Sequence, residues 1–216
     1  MAVELHGYHY SVYSWIARLA LHEKGVAYDW VEIDPFAANV PASYLAKHPF
    51  KRVPTLVHDG FAVYETSAIT RYVDEAFAGP SLQRTQSRER ARCNQVIAIV
   101  DSYAYWPLVR QVFSHTVFRP LTGRPTDEQE VRSGLDAAPT VLAALEKIAG
   151  KERYLCGEDL SLADIHLAPM IGYFALASQG KALLERHGKL RKWWSHLSLR
   201  PAYLATVPQL PQREAG

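Results

Sequence analysis

The dipeptide Asp59-Gly60 stands between two short apolar runs, Thr55-Leu56-Val57-His58 and Phe61-Ala62-Val63-Tyr64. A tight primed turn needs positive φ at its centre, so this pattern predicts a two-stranded hairpin. Pro54 opens the first strand, and Glu65-Thr66-Ser67 follows the second. Thr66 or Ser67 can cap the next helix, leaving free amide donors beside the acidic Glu65. Donors, an acid and a proline-fixed backbone edge suit a small zwitterionic peptide.

The surrounding chain alternates strand and helix signals. Glu4-Leu5-His6-Gly7 reads as a strand that enters a loop holding Tyr8, His9, Tyr10 and Ser11. Ile16, Leu19, Ala20 and Glu23 fall at helical spacing, and Gly25 is a good residue to follow a helix. Residues 28–33 read as a strand ended by Asp34-Pro35, and a short helix is expected over 43–47, before His48-Pro49. A further helix is expected over 67–77. This order predicts a mixed sheet covered by helices.

Gly79-Pro80-Ser81 breaks the pattern, and the polar stretch to Ser87 reads as a linker. No convincing strand follows it. Helical patterns run over 88–118, which Pro107 is expected to bend or interrupt, and over 127–149, with Thr126 or Asp127 as the cap. Ser161 and Asp164 form a capping box, with Leu160 and Ile165 as its hydrophobic staple; this reads as the start of a buried helix. The expected organisation is an α/β domain (1–78), a linker (79–86), an all-helical domain (87–209) and a tail (210–216).

A net charge of +2 is too balanced to suggest a nucleic-acid binder, and 48% hydrophobic residues over 216 positions suffice for a sizeable core. No basic leader with an apolar stretch marks the start, and no apolar run approaches a membrane span. Cys93 and Cys156 are far apart in sequence and lack metal-ligand spacing. They suit free buried thiols in a reducing cytoplasm, which is the expected compartment.

These residues resemble the glutathione transferase superfamily from end to end. Tyr154-Leu155-Cys156-Gly157 leading into Leu160-Ser161-Leu162-Ala163-Asp164 is similar to its helical-domain signature. Val117-Phe118-Arg119-Pro120-Leu121, Gly123-Arg124-Pro125-Thr126-Asp127-Glu128, and Lys192-Trp193-Trp194 before Arg200-Pro201 resemble the phi-like branch of plants and bacteria. The resemblance implies a thioredoxin-like α/β N-terminal domain and an all-α C-terminal domain. It implies a cytoplasmic homodimer that conjugates glutathione, as co-substrate, to hydrophobic electrophiles in detoxification. No metal or other cofactor is implied, nor any nucleic-acid or membrane partner, and the same thiolate suits hydroperoxide reduction.

Such chemistry must lower a thiol pKa of about 8.5 by ~2 units, which takes about 2.7 kcal/mol of selective thiolate stabilisation. A hydroxyl donor at a helix N-terminus supplies energy of that order. By position, the resemblance makes Ser11 that donor; read without it, Ser11 is an N-cap. Tyr10 and Tyr13 are alternative donors, and Ser14 lies one helical turn on. The absence of a cysteine in this loop argues against mixed-disulfide branches. For glutathione itself the resemblance implies Val53 as an added-strand partner, a cis Pro54 that exposes the Val53 amide and carbonyl, and Glu65 with Thr66 on the γ-glutamyl group. Arg52 and Lys51 are placed near the glycyl carboxylate with His48 or Lys47; for Lys47 and Lys51 the other reading is solvated surface charge.

The electrophile site is expected to draw on Tyr10, Tyr13, Tyr103, Trp106, Arg110 and Phe113, with Tyr105 and His115 also in range. Aromatics at this spacing also make cores, so some of these are expected to pack inward. Arg110 would favour an acidic or nitro-bearing electrophile. Phe50 falls where relatives insert an aromatic key into a partner subunit; its other reading is local core. Two competing readings are a non-catalytic ligand-binding or assembly module, and an isomerase of the maleylacetoacetate type, whose serine-serine-cysteine loop is missing here.

Overall fold

The computed structural model describes residues 2–212, so the last part of the expected 210–216 tail lies outside the described residues. Two compact units are present. One runs to Leu82 and takes in Ala205–Pro208; the other spans Gln83–Leu204. The expected linker is therefore not free-standing over its first half. Leu82 is buried, its amide bonded to Asp74 Oδ1 at 2.8 Å.

The first unit contains β1 (Val3–Gly7), α1 (Val12–Glu23), β2 (Asp29–Glu32), α2 (Ala42–Leu45), β3 (Thr55–His58), β4 (Phe61–Tyr64) and α3 (Thr66–Ala76). Its sheet has the order β2-β1-β3-β4, with β1 and β2 parallel and the other neighbours antiparallel. The hairpin forms as the Asp-Gly turn requires, with φ of 47° at Asp59 and 86° at Gly60. Leu5, Trp15, Ile16, Leu56, Ile69 and Val73 are buried, each such side chain stabilising the unit by about 1.5–3 kcal/mol. Trp15 Nε1 donates to Thr206 Oγ1 at 3.1 Å, which fastens the returning chain segment to this core. Lys24 Nζ is buried against Asp74 Oδ1 at 3.1 Å and the carbonyls of Asp74 and Pro80.

The second unit contains α4 (Ser87–Ile99), a π-type helical segment (Val100–Phe118), α5 (Arg119–Leu121), α6 (Glu128–Ile148), α7 (Leu162–Phe174), α8 (Ser178–Leu184) and α9 (Gly188–Leu197), and α10 (Pro201–Thr206) begins in it. Of the two expected effects of Pro107, bending or interruption, the interruption does not occur. The chain stays helical through it in the wider π winding, where Arg119 N still reaches back five residues to Ser114 O. Asp127 caps α6, accepting from the Gln129 and Glu130 amides. α6 and α7 both pack on the π segment. Gly134 makes the first approach close: a Cβ there would lie 2.7 Å from Gln111 Cβ and 2.9 Å from the Pro107 carbonyl oxygen.

The capping box at Ser161 is formed, and Asp164 does more than cap. Its wholly buried carboxylate accepts from the Ser161 amide (2.9 Å) and hydroxyl (2.6 Å), the Leu155 amide (2.9 Å) and Trp193 Nε1 (2.8 Å). Burial raises the Asp164 pKa, and these donors oppose the rise.

Candidate functional site

The register of the sheet brings the glutathione candidates to one end. His6 on β1 pairs with Thr55 on β3, and Thr55 pairs with Tyr64 on β4. Just beyond that row lie the loop from Gly7 to Ser11, the Val53-Pro54 step and Glu65. Three segments distant in sequence thus leave the sheet at the same edge.

Ser11 is the N-cap of α1, in extended conformation, and its Oγ accepts from Ser14 N at 3.2 Å. It is half-buried. Its accepted bond uses a lone pair and leaves the hydroxyl proton available to donate. Ser14, by contrast, is fully buried and accepts from the Tyr8 amide at 3.3 Å, so it braces the loop. Tyr10 packs edge-on against Tyr8 (5.4 Å) and His9 (5.1 Å); Tyr13, in the first turn of α1, is half-buried.

The Val53-Pro54 peptide is cis, as the resemblance implies. Among the described residues no hydrogen bond occupies the Val53 amide or carbonyl, so both can pair with an added peptide edge. Glu65, rather than Thr66 or Ser67, occupies the N-cap position of α3. It sits at φ 68° without a side-chain cap bond, and Thr66 is the first helical residue. Left-handed backbone at a non-glycine residue is uncommon and collects at ligand-binding positions. Glu65 is exposed and Thr66 buried.

Lys51 is at φ 52°, and its Nζ donates to the Ala37 carbonyl at 3.2 Å, tying two loops together. Arg52 is exposed, Lys47 half-buried. Tyr44 was missed in the sequence: it is buried, and its hydroxyl donates to the Arg52 carbonyl at 2.5 Å while meeting Thr55 Oγ1 at 3.2 Å. A polar aromatic on a helix just before the proline loop was the only available signal. His48 is buried with its ring 4.7 Å from that of Tyr64, and its Nδ1 has no hydrogen-bond partner. Burial holds its pKa below the ordinary histidine value; Glu65 opposes this and Arg52 reinforces it. Phe50 is 65% exposed and so is not local core.

The electrophile candidates of the second unit divide. Tyr103 and Trp106 are exposed, and the Arg110 guanidinium lies over the Trp106 ring at 6.0 Å. Phe113 is buried instead, stacked on Tyr173 with centroids 4.1 Å apart and planes 3° from parallel. Its place in the π segment points it into the helical core, so it is a packing residue. Tyr105 and His115 are half-buried, and His115 Nδ1 accepts from the Asp127 amide at 3.1 Å. Among the described residues no group of three or more His, Cys, Asp or Glu side chains could hold a metal ion. No helix among them is long and apolar enough to cross a membrane.

A small mixed sheet carrying a proline loop and a helix-start acid, followed by a helical unit, is the architecture of glutathione-dependent transferases. Residues 5–81 match the family model for the glutathione S-transferase N-terminal domain, and residues 105–201 match that for the C-terminal domain. The chain is 30% identical over 214 residues to glutathione S-transferase F13 of Arabidopsis thaliana, covering 97% of each. With glutathione S-transferase F9 of the same plant it shares 31% over 195 residues, 88% of this chain and 90% of the relative. The crystal structure of glutathione transferase F7 from Populus trichocarpa superposes with a TM-score of 0.82 at 26% identity, covering 95% of this chain and 97% of that one. The chain belongs to the glutathione S-transferase family and is similar to its phi-like members. Its activity is that of a glutathione S-transferase, with glutathione as co-substrate and no cofactor required.

Proposed function

We propose that this enzyme conjugates glutathione to hydrophobic electrophiles, with the Ser11 hydroxyl stabilising the bound thiolate. The carrying observation is Ser11 at the N-cap of α1, half-buried, with its hydroxyl proton unspent. A hydrogen bond to an anion contributes about 1.5–3 kcal/mol and the helix terminus a few tenths more, which matches the required thiol pKa shift. Val53 supplies the added-strand edge, Glu65 and Thr66 hold the γ-glutamyl group, and Arg52 and Lys51 face the glycyl carboxylate, with Pro54 fixing the loop. The glutathione sulfur attacks the electrophilic carbon, the C–S bond forms and the C–halogen bond breaks, and the halide leaves. The thiol proton has already passed to solvent.

Exposed Tyr103 and Trp106, with Arg110, support an electrophile site that favours aromatic and nitro-bearing acceptors. The same thiolate reduces organic hydroperoxides by attacking the terminal peroxide oxygen and releasing an alcohol; a second glutathione then yields the disulfide and water. Exposed Phe50 supports a homodimer in which this ring enters a partner subunit. The role is cytoplasmic detoxification. The domains that serve it are an N-terminal glutathione domain and a helical electrophile domain.

The test is retention on immobilised glutathione, conjugation of a chloronitrobenzene, and the ultraviolet thiolate absorbance of bound glutathione against pH. Ser11→Ala should bind glutathione and lose turnover about 10- to 150-fold, with the thiolate titration moved to higher pH. Unchanged turnover and titration in Ser11→Ala, with both altered in Tyr10→Phe or Tyr13→Phe, would transfer the role to a tyrosine.

A further inference from the structure

The chain reaches Ser11 through a tight turn. Ser11 N donates to the Tyr8 carbonyl at 2.9 Å, so His9 and Tyr10 form the corner. Ahead of the turn, the Gly7 carbonyl accepts from Ile33 N at 2.7 Å, and Tyr8 N donates to Ser14 Oγ at 3.3 Å. The closing bond of such a turn uses the amide of its fourth residue and leaves that of its second to find another acceptor. Here that amide, His9 N, donates to Glu32 Oε1 at 3.0 Å.

Glu32 ends β2, where the parallel register sets it beside Gly7 at the end of β1. Trp30, two residues earlier, stands on the same face of the sheet. Its Nε1 donates to the second carboxylate oxygen, Glu32 Oε2, at 2.8 Å. One carboxylate therefore bridges the indole and the corner amide. The indole is itself held: the Arg18 guanidinium of α1 lies over it at 5.6 Å, and a Cβ at Gly7 would stand 2.5 Å from Trp30 Cη2. Trp30 is half-buried and Glu32 exposed. An exposed carboxylate bound through one oxygen is a weak tether, because it keeps most of its rotamer freedom. Pinning the other oxygen removes much of that freedom.

We propose that Glu32 is a positioning residue for the conjugation reaction: pinned by Trp30, it holds the His9 corner and so directs the Ser11 hydroxyl at the glutathione sulfur. This role presupposes the reading of Ser11 as thiolate donor. A donor stabilises a forming anion best when its direction is set beforehand, and a turn free to rock at its corner would misdirect the hydroxyl. Glu32 acts through the turn alone and is not among the residues assigned to glutathione or to the electrophile.

The test compares Glu32→Ala with Glu32→Gln in the full-length protein. Both remove the charge, and only glutamine keeps an oxygen that can accept from His9 N, so their difference reports the tether rather than the field of the carboxylate. The readouts are kcat and glutathione KM with a chloronitrobenzene, and the ultraviolet thiolate titration of bound glutathione. Glu32→Ala should have a kcat about 2- to 10-fold below that of Glu32→Gln, a titration at higher pH, and a glutathione KM within about twofold. In a Ser11→Ala background the two substitutions should give equal kcat. Equal kcat and titration of the two in the parent protein, a difference carried by KM alone, or a kcat difference that persists without the Ser11 hydroxyl would each overturn the proposal. Parent turnover and titration in Ser11→Ala itself would instead overturn the reading of Ser11, and this role with it. Position 32 is exposed, so both variants are expected to fold.

Discussion

The Tyr44 hydroxyl donates to the Arg52 carbonyl at 2.5 Å, one residue before the Val53-Pro54 step. A buried ring on α2 thus fixes the backbone of the loop assigned to glutathione, and Thr55 Oγ1 on β3 meets the same hydroxyl. Tyr44→Phe keeps the ring and removes the donor, at a cost of about 0.5–1.5 kcal/mol. The expected outcome is a glutathione KM raised about 2- to 10-fold with kcat little changed, measured at saturating electrophile. A fall in kcat alone would deny Tyr44 this positioning role.

Ser11 caps α1, and the proposed function gives it a second, separable duty as thiolate donor. Ser11→Ala should lower stability by about 1 kcal/mol through the lost cap, as well as turnover. Aspartate caps a helix as well as serine but has no proton to donate and repels a thiolate. Ser11→Asp should therefore keep the urea midpoint of the parent protein and lose turnover at least as severely as Ser11→Ala. Retained turnover in Ser11→Asp would show that capping, not donation, is the requirement.

Gly134→Ala tests the close approach of α6 to the π segment. The added methyl would meet Gln111 Cβ at 2.7 Å and the Pro107 carbonyl at 2.9 Å, with Val112 Cγ2 also at 2.9 Å. Helix propensity favours alanine by up to about 1 kcal/mol, and overpacking costs about 1–3. Backbone is among the atoms struck, so the clash should win: net destabilisation by thermal denaturation is expected.

Asp164→Ala strands four buried donors: the amides of Leu155 and Ser161, the Ser161 hydroxyl and the Trp193 indole. Each unpaired donor costs about 1–3 kcal/mol, so a loss above about 3 kcal/mol, or failure to fold, is expected in urea titrations. Asp164→Asn keeps the shape and one of the two acceptor oxygens, so it should lose less than Asp164→Ala.

Acid should weaken the fold through its buried histidines. His6 and His48 have pKa values lowered chiefly by burial, so near and below the ordinary value the unfolded chain binds more protons than the folded one. Stability then rises with pH through that range: it falls as pH drops below about 6.5 and levels off only below the folded-state values. His48→Asn should flatten the slope of the urea midpoint against pH between about 5 and 7. An unchanged slope would mean that His48 charges freely in the folded protein.

The hairpin, α1 with its cap and α6 with Asp127 were legible because local rules decide them: an Asp-Gly turn, a serine before an apolar period, an aspartate before acids. What escaped notice depends on packing at a distance. The π winding through Pro107 has α6 and α7 packed against it, which no local rule reports. Phe113 and Trp106 look equivalent along the chain, yet one stacks on Tyr173 and the other is exposed. Glu65 took the cap position from Thr66 because the strand hands the chain over in left-handed backbone, a choice a hydroxyl pattern does not reveal. The candidate binding segments were readable as separate pieces; their arrival at one sheet edge required the strand order.

Asp59 also grips the first described residue. Its carboxylate accepts from the Ala2 amide at 2.8 Å and its own amide donates to Ala2 O at 3.0 Å, at the end of the sheet remote from Ser11 and Glu65. A purification handle or fluorescent fusion attached ahead of Ala2 would therefore start from the end of the sheet opposite the candidate glutathione site. Immobilisation through that handle leaves the candidate edge turned toward the bulk, which suits this protein to surface-tethered assays.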